Sequence, residues 1–512
     1  MASLDLKPTR RFHEALGSVE TYSPAEEQFN RRRRTAGLAI APLMFAVMLL
    51  APLPLAPQAH RMAAVLATVV VLWLTEALPI TVTALLGPVM AVVLGVADAR
   101  SALAPFADPI IFLFIGSFIL AEAMFVHGLD RRIAFTALSW RAVGSSGGLI
   151  LVVYGAVGTA MSMWISNTAT TAMLFPIGLS ILAHLQRTGV LVRRFAIALM
   201  LITSFGPSVG GMATPVGTPT NLIGIGMLER FTGADITFFQ WMAVGLPAVV
   251  LVYAFLAGML YLTSARGVEV GEGSTLLVRD ELARLGPVSR GQRNVLIAFG
   301  VTVILWIAPG ILAIAGFENS TFSRAYAESV PEGIAAMLGA FLLFLLPIDW
   351  RTRRFTLTWD EAVRIDWGIV FLYGGGLAMG TLAFSTGLAE AMGKGIVSWL
   401  PSQSPVALTM LFTAAAIVLS ETTSNTSSAN MIVPIAIAVA EAAHVRPIEP
   451  ALGATLGASM GFMMPISTAP NAIVYSSGFI PITAMMRYGF ALDLAAFVII
   501  VTLVLVLGPI VF

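Results

Sequence analysis

Almost the whole chain is a succession of apolar runs, and that pattern decides what it can fold into. A run of roughly 20 residues with few charges crosses a bilayer as a helix. Such runs lie at about 36–56, 62–79, 81–98, 109–127, 194–229, 240–264, 292–316, 331–348, 367–383, 450–479 and 487–511. Only 11% of the 512 residues are charged, against about 25% in a soluble domain, so a water-facing coat is not available. Two further runs, 145–184 and 404–443, break in the middle at polar clusters. These read as re-entrant hairpins that enter and leave on one side. The expected fold is an all-α polytopic membrane protein with about eleven transmembrane helices, two re-entrant hairpins, and broken helices at 194–229 and 450–479.

Basic residues set the orientation. With the N-terminus in the cytoplasm, 23 of the 29 Lys and Arg fall on inner segments. The other six, Arg61, Arg100, Arg230, Arg324, Lys394 and Arg446, fall on outer ones. This positive-inside bias implies a multi-pass protein of the cytoplasmic membrane with Phe512 outside. The expected organisation is a cytoplasmic N-terminal segment 1–35, a first half 36–265, a cytoplasmic loop 266–292 and a second half 293–512. Arg31 to Arg34 read as a topology anchor. The first apolar run starts near Ala36, too far in for a cleavable signal. Cysteine is absent, which excludes disulfides, thiolate metal sites and cysteine nucleophiles. A net charge of +1 gives no sign of a polyanionic partner. No nucleic acid is expected, and the lipid bilayer is the partner the composition requires.

The two halves repeat. The segment 112–116 (FLFIG) recurs as 371–375 (FLYGG), and Gly128-Leu129 recurs as Gly387-Leu388, both at an offset of 259. Ser166-Asn167-Thr168 recurs as Ser424-Asn425-Thr426 at 258, and Thr218 and Asn221 recur as Thr468 and Asn471 at 250. Run 109–127 heads inward and run 367–383 outward, so the repeats are inverted, as in many secondary transporters.

Each half carries two breaks. Ser-Asn-Thr stands mid-run in each hairpin, and backbone freed there must line a protein-enclosed cavity. Glycine and proline break the other two runs, at 210–221 and 465–471, and release carbonyls. Hydroxyl, amide and backbone oxygens suit a hard cation, and half-helix N-termini suit an anion. A lone cluster of this kind is more simply Ser and Thr bonding back to their own helix. Recurrence at matched repeat positions argues against that. None of the four motif segments holds Lys, Arg or His, so an anion there rests on neutral dipoles and bound cations.

The segments 73–79 (WLTEALP), 163–170 (MWISNTAT) and 458–474 (ASMGFMMPISTAPNAIV) resemble the divalent anion/sodium symporter family. The last fits that family's signature at each fixed position, Ser459, Phe462, Pro465 and Asn471 among them. The resemblance extends over nearly the whole chain after about residue 36. It implies an elevator-type homodimer with a scaffold domain and a mobile transport domain. Members carry dicarboxylates, citrate or sulfate, mostly with sodium and sometimes by exchange. Carried over, the first sodium site is Ser162, Ser166, Asn167 and the backbone at Gly217, and the second is Ser420, Thr423, Asn425 and Ser467. Substrate carboxylates meet Asn167, Thr168 and Thr218 on one side and Asn425, Thr426 and Thr468 on the other, with Pro219 counted among them. Three positions depart from the usual pattern: Thr218 stands for Ser, Ser467 for Ala and Ala469 for Pro. The first two keep or add an oxygen, and the third loosens a turn.

The expectation is sodium-coupled symport of a C4-type dicarboxylate, with two or more sodium ions bound first. Two Asn-Thr tips facing one another suit an anion with two separated carboxylates. The same fold would also serve a sodium-independent dicarboxylate exchanger or a sulfate or citrate symporter, and more remotely an anion channel. No cluster of His, Asp and Glu and no activated nucleophile points to an enzyme, and no GxxxxGK[ST] loop points to ATP. Glu76, Asp108, Glu122 and Glu421 lie in or beside apolar runs, where ionisable groups mark function or hold structure. Glu421, beside the second tip, is the one expected to shape an ion site, and Glu76 to hold the scaffold.

Overall fold

The computed structural model describes residues 24–139, 146–187, 192–269, 273–317 and 320–512, which are helical nearly throughout. Residues 1–23, residue 145 at the expected start of the first hairpin and residues 270–272 of the loop lie outside the described residues. Among the described residues ten helices are long and apolar enough to cross a membrane. There are up to eleven if Thr321–Ser329 and Glu332–Leu345, bent by 66° at a short break, form one span. The number is close to the expected one, but its membership differs. Asn167–Gln186 and Pro405–Thr422 are hairpin arms. The expected spans 81–98 and 331–348 are the 14-residue helices Ile80–Val93 and Glu332–Leu345, and the two runs expected to break do so, 194–229 into Arg193–Gly210 and Pro219–Thr232 and 450–479 into Ile448–Gly457 and Ala469–Tyr475. Hydropathy does not register the second division, because the unwound stretch is itself apolar. Pro465 and Pro470 remove the N–H groups that would continue the helix.

Local sequence sets the helix starts. Thr237 with Gln240, and Ser289 with Gln292, form capping boxes at the heads of Phe238–Leu260 and Arg290–Ile314. The second helix turns Leu296, Ile297, Ile304 and Ile311 outward, as a lipid-facing surface requires. Its other face buries Val295, Ala298, Thr302 and Trp306.

Helices Pro109–Val126 and Glu332–Leu345 pack on each other, and Pro24–Leu50 lies along Pro57–Thr75. Arg33 meets Glu76 at 2.8 Å, so Glu76 ties the feet of that second pair together. Asp108 caps Pro109–Val126 through the Ile110 N–H and accepts from the Tyr373 hydroxyl at 2.9 Å. Arg132 clamps the loop after Arg284. Its Nε donates to Gln292 Oε1 at 2.8 Å, and Nη2 donates to the carbonyls of Leu285 and Gly286 at 3.0 and 2.9 Å. A small antiparallel pair, Pro347–Asp349 with Arg354–Phe355, was not anticipated from the sequence pattern.

The hairpins interlock with the broken helices. Pro219–Thr232 packs against Asn425–Ala442, the second arm of the second hairpin. Ala469–Tyr475 packs against Asn167–Arg187, the second arm of the first. Each repeat's broken helix therefore leans on the other repeat's hairpin.

If the loop after Arg266 is cytoplasmic, a cysteine placed at exposed Ala283 will react with an impermeant maleimide only after the membrane is opened. The chain's lack of cysteine makes the probe clean. Labelling of intact cells would reverse the orientation.

Candidate functional site

Both hairpin tips are built the same way. Ser166 Oγ accepts from the Ala169 N–H at 3.3 Å, and Ser424 Oγ accepts from the Ser427 N–H at 3.2 Å. The serine of each Ser-Asn-Thr is thus an N-cap, and the Asn and Thr open the second arm. The first N–H groups of a helix lack internal acceptors and carry the positive end of its dipole. Each asparagine then folds back on the first arm. Ser162 Oγ donates to Asn167 Oδ1 at 2.8 Å, and Ser420 Oγ donates to Asn425 Oδ1 at 2.7 Å. Both serines are fully buried and both asparagines half-buried.

The broken helices follow a second shared rule. Asn221 Nδ2 donates to the carbonyls of Gly211 and Thr214 at 2.9 and 2.7 Å. Asn471 Nδ2 donates to those of Gly461 and Met464, each at 3.0 Å. All three positions in each set are related by the offset of 250. One side-chain amide closes each unwound turn and decides which carbonyls stay open. The halves are not identical. Asn471 Oδ1 accepts from Ser204 Oγ at 2.6 Å, whereas Asn221 Oδ1 is buried without a partner. Thr468 caps its helix through the Asn471 N–H at 3.3 Å, and Thr218 makes no such cap.

Tips and turns meet. A Cβ on Gly211 would stand 2.4 Å from Asn167 Oδ1 and 3.1 Å from the Gly217 carbonyl. A Cβ on Gly461 would stand 3.1 Å from both Asn425 Oδ1 and the Ser420 carbonyl. The same Ser420 hydroxyl proton also has the Ala458 carbonyl within reach at 2.8 Å, and Asn425 Nδ2 donates to the Ser459 carbonyl at 3.3 Å. Ser162, Asn167 and Gly217 therefore gather at the first tip, and Ser420 and Asn425 at the second. These are neutral hydroxyl, amide and carbonyl oxygens, a donor set suited to a hard cation of low charge.

Three other expected ligands have their side chains engaged elsewhere. Ser166 Oγ is spent on its cap. Thr423 Oγ1 shares a 2.7 Å bond with Ser428 Oγ. Ser467 Oγ donates to Glu421 Oε2 at 2.9 Å. The Thr168 and Thr426 hydroxyls are half-buried and bond to no protein group among the described residues. Pro219 opens the helix after Thr218.

Glu421 holds the loop that carries the 458–474 segment. Its Oε1 accepts from the N–H groups of Phe462 and Met463 at 2.6 and 2.9 Å. Two features had no local signal in the sequence. The carbonyls of Ala458 and Ser459 are backbone groups, which no side-chain pattern reveals. Arg33 Nη1 donates to the Thr422 carbonyl at 3.3 Å, from 389 positions away. A fixed positive charge therefore does stand beside the second tip, partly neutralised by Glu76.

Paired hairpin tips and unwound helices, matched by an internal repeat inside a polytopic helical bundle, are the architecture of a secondary membrane transporter. The chain belongs to the family described as the sodium:sulfate symporter transmembrane region, whose profile matches residues 32–512. It is 33% identical over 483 residues to the sodium-dependent dicarboxylate transporter SdcS of Staphylococcus saprophyticus, covering 92% of this chain and 91% of that one. An SdcS of Staphylococcus aureus is 32% identical over 488 residues, covering 93% and 91%. An uncharacterized transporter of Haemophilus influenzae is 33% identical over 480 residues, covering 92% and 97%. The YdaH transporter of Alcanivorax borkumensis shares the fold at a TM-score of 0.50 and 13% identity, over 80% of this chain and 88% of that one.

Proposed function

We propose that this protein is a sodium-coupled symporter of a C4-type dicarboxylate, working by alternating access as a homodimer with an elevator-like transport domain. The observation that carries the reading is the duplicated tip. At each one an asparagine Oδ1, a buried serine hydroxyl and freed backbone carbonyls converge with no acidic side chain among them. Such a site attracts a cation only weakly by itself, and an anion only once cations are there, because an uncompensated charge in a low-dielectric site is costly. Cations first and anion second is the order that follows. The names of the SdcS relatives agree with sodium and a dicarboxylate as the two cargoes. The Arg33 bond to Thr422 draws the second tip toward the foot of the first helix. With a cytoplasmic N-terminus, that is an inward-facing arrangement.

The deciding experiment is radiolabelled succinate uptake into proteoliposomes with and without a sodium gradient. Uptake is expected to rise cooperatively with external sodium. Full activity in sodium-free buffer, driven by internal dicarboxylate, would establish the exchanger instead.

The substrate is assigned to the Thr hydroxyls that bond to no protein group. Thr168→Ala and Thr426→Ala are each expected to raise the apparent succinate constant about tenfold to a hundredfold. That range corresponds to one hydrogen bond to a charged group, about 1.5–3 kcal/mol. Sodium-dependent thermal stabilisation, measured without substrate, should be nearly unchanged in both. An unaltered succinate constant would show that the carboxylates dock elsewhere.

A further inference from the structure

The first span is held loosely by the protein. Only 11% of the apolar window in Gln28–Leu50 is buried, against 50% in Pro57–Thr75 beside it. Between this helix and the next two, Pro57–Thr75 and Ile80–Val93, runs an open groove of about 290 Å³. Its walls are Leu38, Pro42 and Phe45 of the first helix, Leu72 of the second, and Leu86 and Met90 of the third. Thr68, the polar side chain among the described lining residues, donates its hydroxyl to the Ala64 carbonyl of its own helix at 2.7 Å. The groove therefore asks for an apolar filling.

The foot of the same face is basic. Arg31, Arg34, Leu38, Pro42 and Phe45 follow one another at steps of three or four positions, which keeps them on one side of a helix. Helical side chains lean toward the N-terminus, so the two arginines reach away from the groove and toward the water. From Arg34 to Phe45 is about 16 Å of helix, the depth of one leaflet of a hydrocarbon core about 30 Å thick. Glu76 is shared by Arg33 at 2.8 Å and Arg34 at 3.7 Å, and half of the Arg34 side chain stays exposed. Arg31 is exposed and forms no ion pair among the described residues. Glu26 and Glu27 stand a turn further from the membrane. At the level of the headgroups the balance is positive.

We propose that this face binds one anionic phospholipid of the leaflet on the N-terminal side, its phosphate against Arg31 and Arg34 and an acyl chain in the groove. The inference goes beyond the transport reading and does not depend on it. A basic patch alone attracts any phosphate, and an apolar groove in a bilayer accepts any chain. Set one above the other within the depth of a leaflet, they fit a molecule that carries both. A helix from a second copy would fill the groove and leave the arginines without a counter-charge. The lipid would seat the first helix on its neighbours. With it would be seated Arg33, which reaches the Thr422 carbonyl beside the second tip.

The test is the melting temperature of the full-length protein in a neutral detergent, with phosphatidylglycerol, phosphatidylcholine or glycerol phosphate added. Phosphatidylglycerol is expected to raise it by about 2–5 °C, and the other two to leave it unchanged. Arg31→Gln with Arg34→Gln should abolish the rise. Leu38→Trp, at a wall position that is 53% exposed, should reduce it by filling the groove. Arg351→Gln with Arg353→Gln, two exposed arginines after Pro347–Asp349, should retain it. An unchanged rise in the Arg31 and Arg34 variant would overturn the site. So would an equal loss in the Arg351 and Arg353 variant, which would mean diffuse surface charge, or an equal rise with phosphatidylcholine, which would mean ordinary lipid solvation. A full rise with glycerol phosphate would overturn it as a phosphate site without a chain. No rise with any of the three would leave the groove to a second copy and overturn it too. If the arginine variant does not fold, native mass spectrometry of the wild type in an equal mixture of the two lipids decides. Selective retention of phosphatidylglycerol is expected, and equal retention of both would overturn the site.

Discussion

Asn167→Ala and Asn425→Ala are each expected to abolish sodium-driven uptake and to remove most of the stabilisation that sodium gives in the absence of substrate. The two asparagines are the groups where everything at each tip converges. Their Oδ1 atoms accept from Ser162 and Ser420 at 2.8 and 2.7 Å and face the unwound turns at Gly211 and Gly461. An asparagine also carries an amide, so one end can meet a cation while the other donates to a carboxylate. Alanine removes both ends; Ser420 then still has the Ala458 carbonyl at 2.8 Å, and Ser162 only a 3.5 Å contact to the Ile165 carbonyl. A lost bond to a charged group costs about 1.5–3 kcal/mol. A ligand stabilises the state that binds it, so the melting temperature against sodium concentration reads the loss directly. The two variants should differ without sodium. Asn425 also pins the Ser459 carbonyl through Nδ2 at 3.3 Å, so Asn425→Ala should melt lower than Asn167→Ala. A full sodium-dependent shift in either variant would show that its tip is not a cation site.

The parts of this architecture that depend on local sequence could be read before any coordinates. Ser-Asn-Thr in mid-run marked both helix breaks, because a serine cap and a free helix start are local properties of consecutive residues. The offsets of 258 and 250 were visible as letters and reappear as matched bonds. Ser162 with Asn167 mirrors Ser420 with Asn425, and Asn221 on Gly211 and Thr214 mirrors Asn471 on Gly461 and Met464. What escaped depends on distant packing. Asp493 is buried in an apolar helix with nothing beside it in sequence to flag it, and its surroundings follow from that helix lying against the Phe462 loop. Arg33 read as one of four arginines in an anchor, yet it alone bonds to the second tip. The break inside 450–479, by contrast, was legible from Pro465 and Pro470 and not from hydropathy, since the run is apolar enough to count as one span while its middle is unwound. Hydropathy reports the surroundings of a segment and is blind to its backbone.

The repeat also supplies a controlled comparison, because matched glycines face matched asparagines at different distances. Gly211→Ala would bring a Cβ to 2.4 Å from Asn167 Oδ1, well inside contact, with the Gly217 carbonyl at 3.1 Å closing the other side. The movable partner is the asparagine side chain, so that group must swing away. Its bond to Ser162 and its place among the cation oxygens go with it. Gly461→Ala would bring a Cβ to 3.1 Å from Asn425 Oδ1, a contact relieved by a shift of a few tenths of an ångström. Gly211→Ala is therefore expected to weaken sodium binding about tenfold to a hundredfold, the scale of one lost interaction with a charged partner. Uptake should fall to background at sodium concentrations that saturate the wild type. Gly461→Ala should keep most of its uptake and shift the sodium constant by only a few fold, since small overpacking with room to relax is tolerated. The measurement is sodium-dependent uptake of both variants, with sodium-free melting temperatures as the control for folding. Equal sodium constants in the two variants, at equal stability, would mean that Asn167 does not have to face Gly211 for the first site to form. The cation would then be held by backbone carbonyls alone.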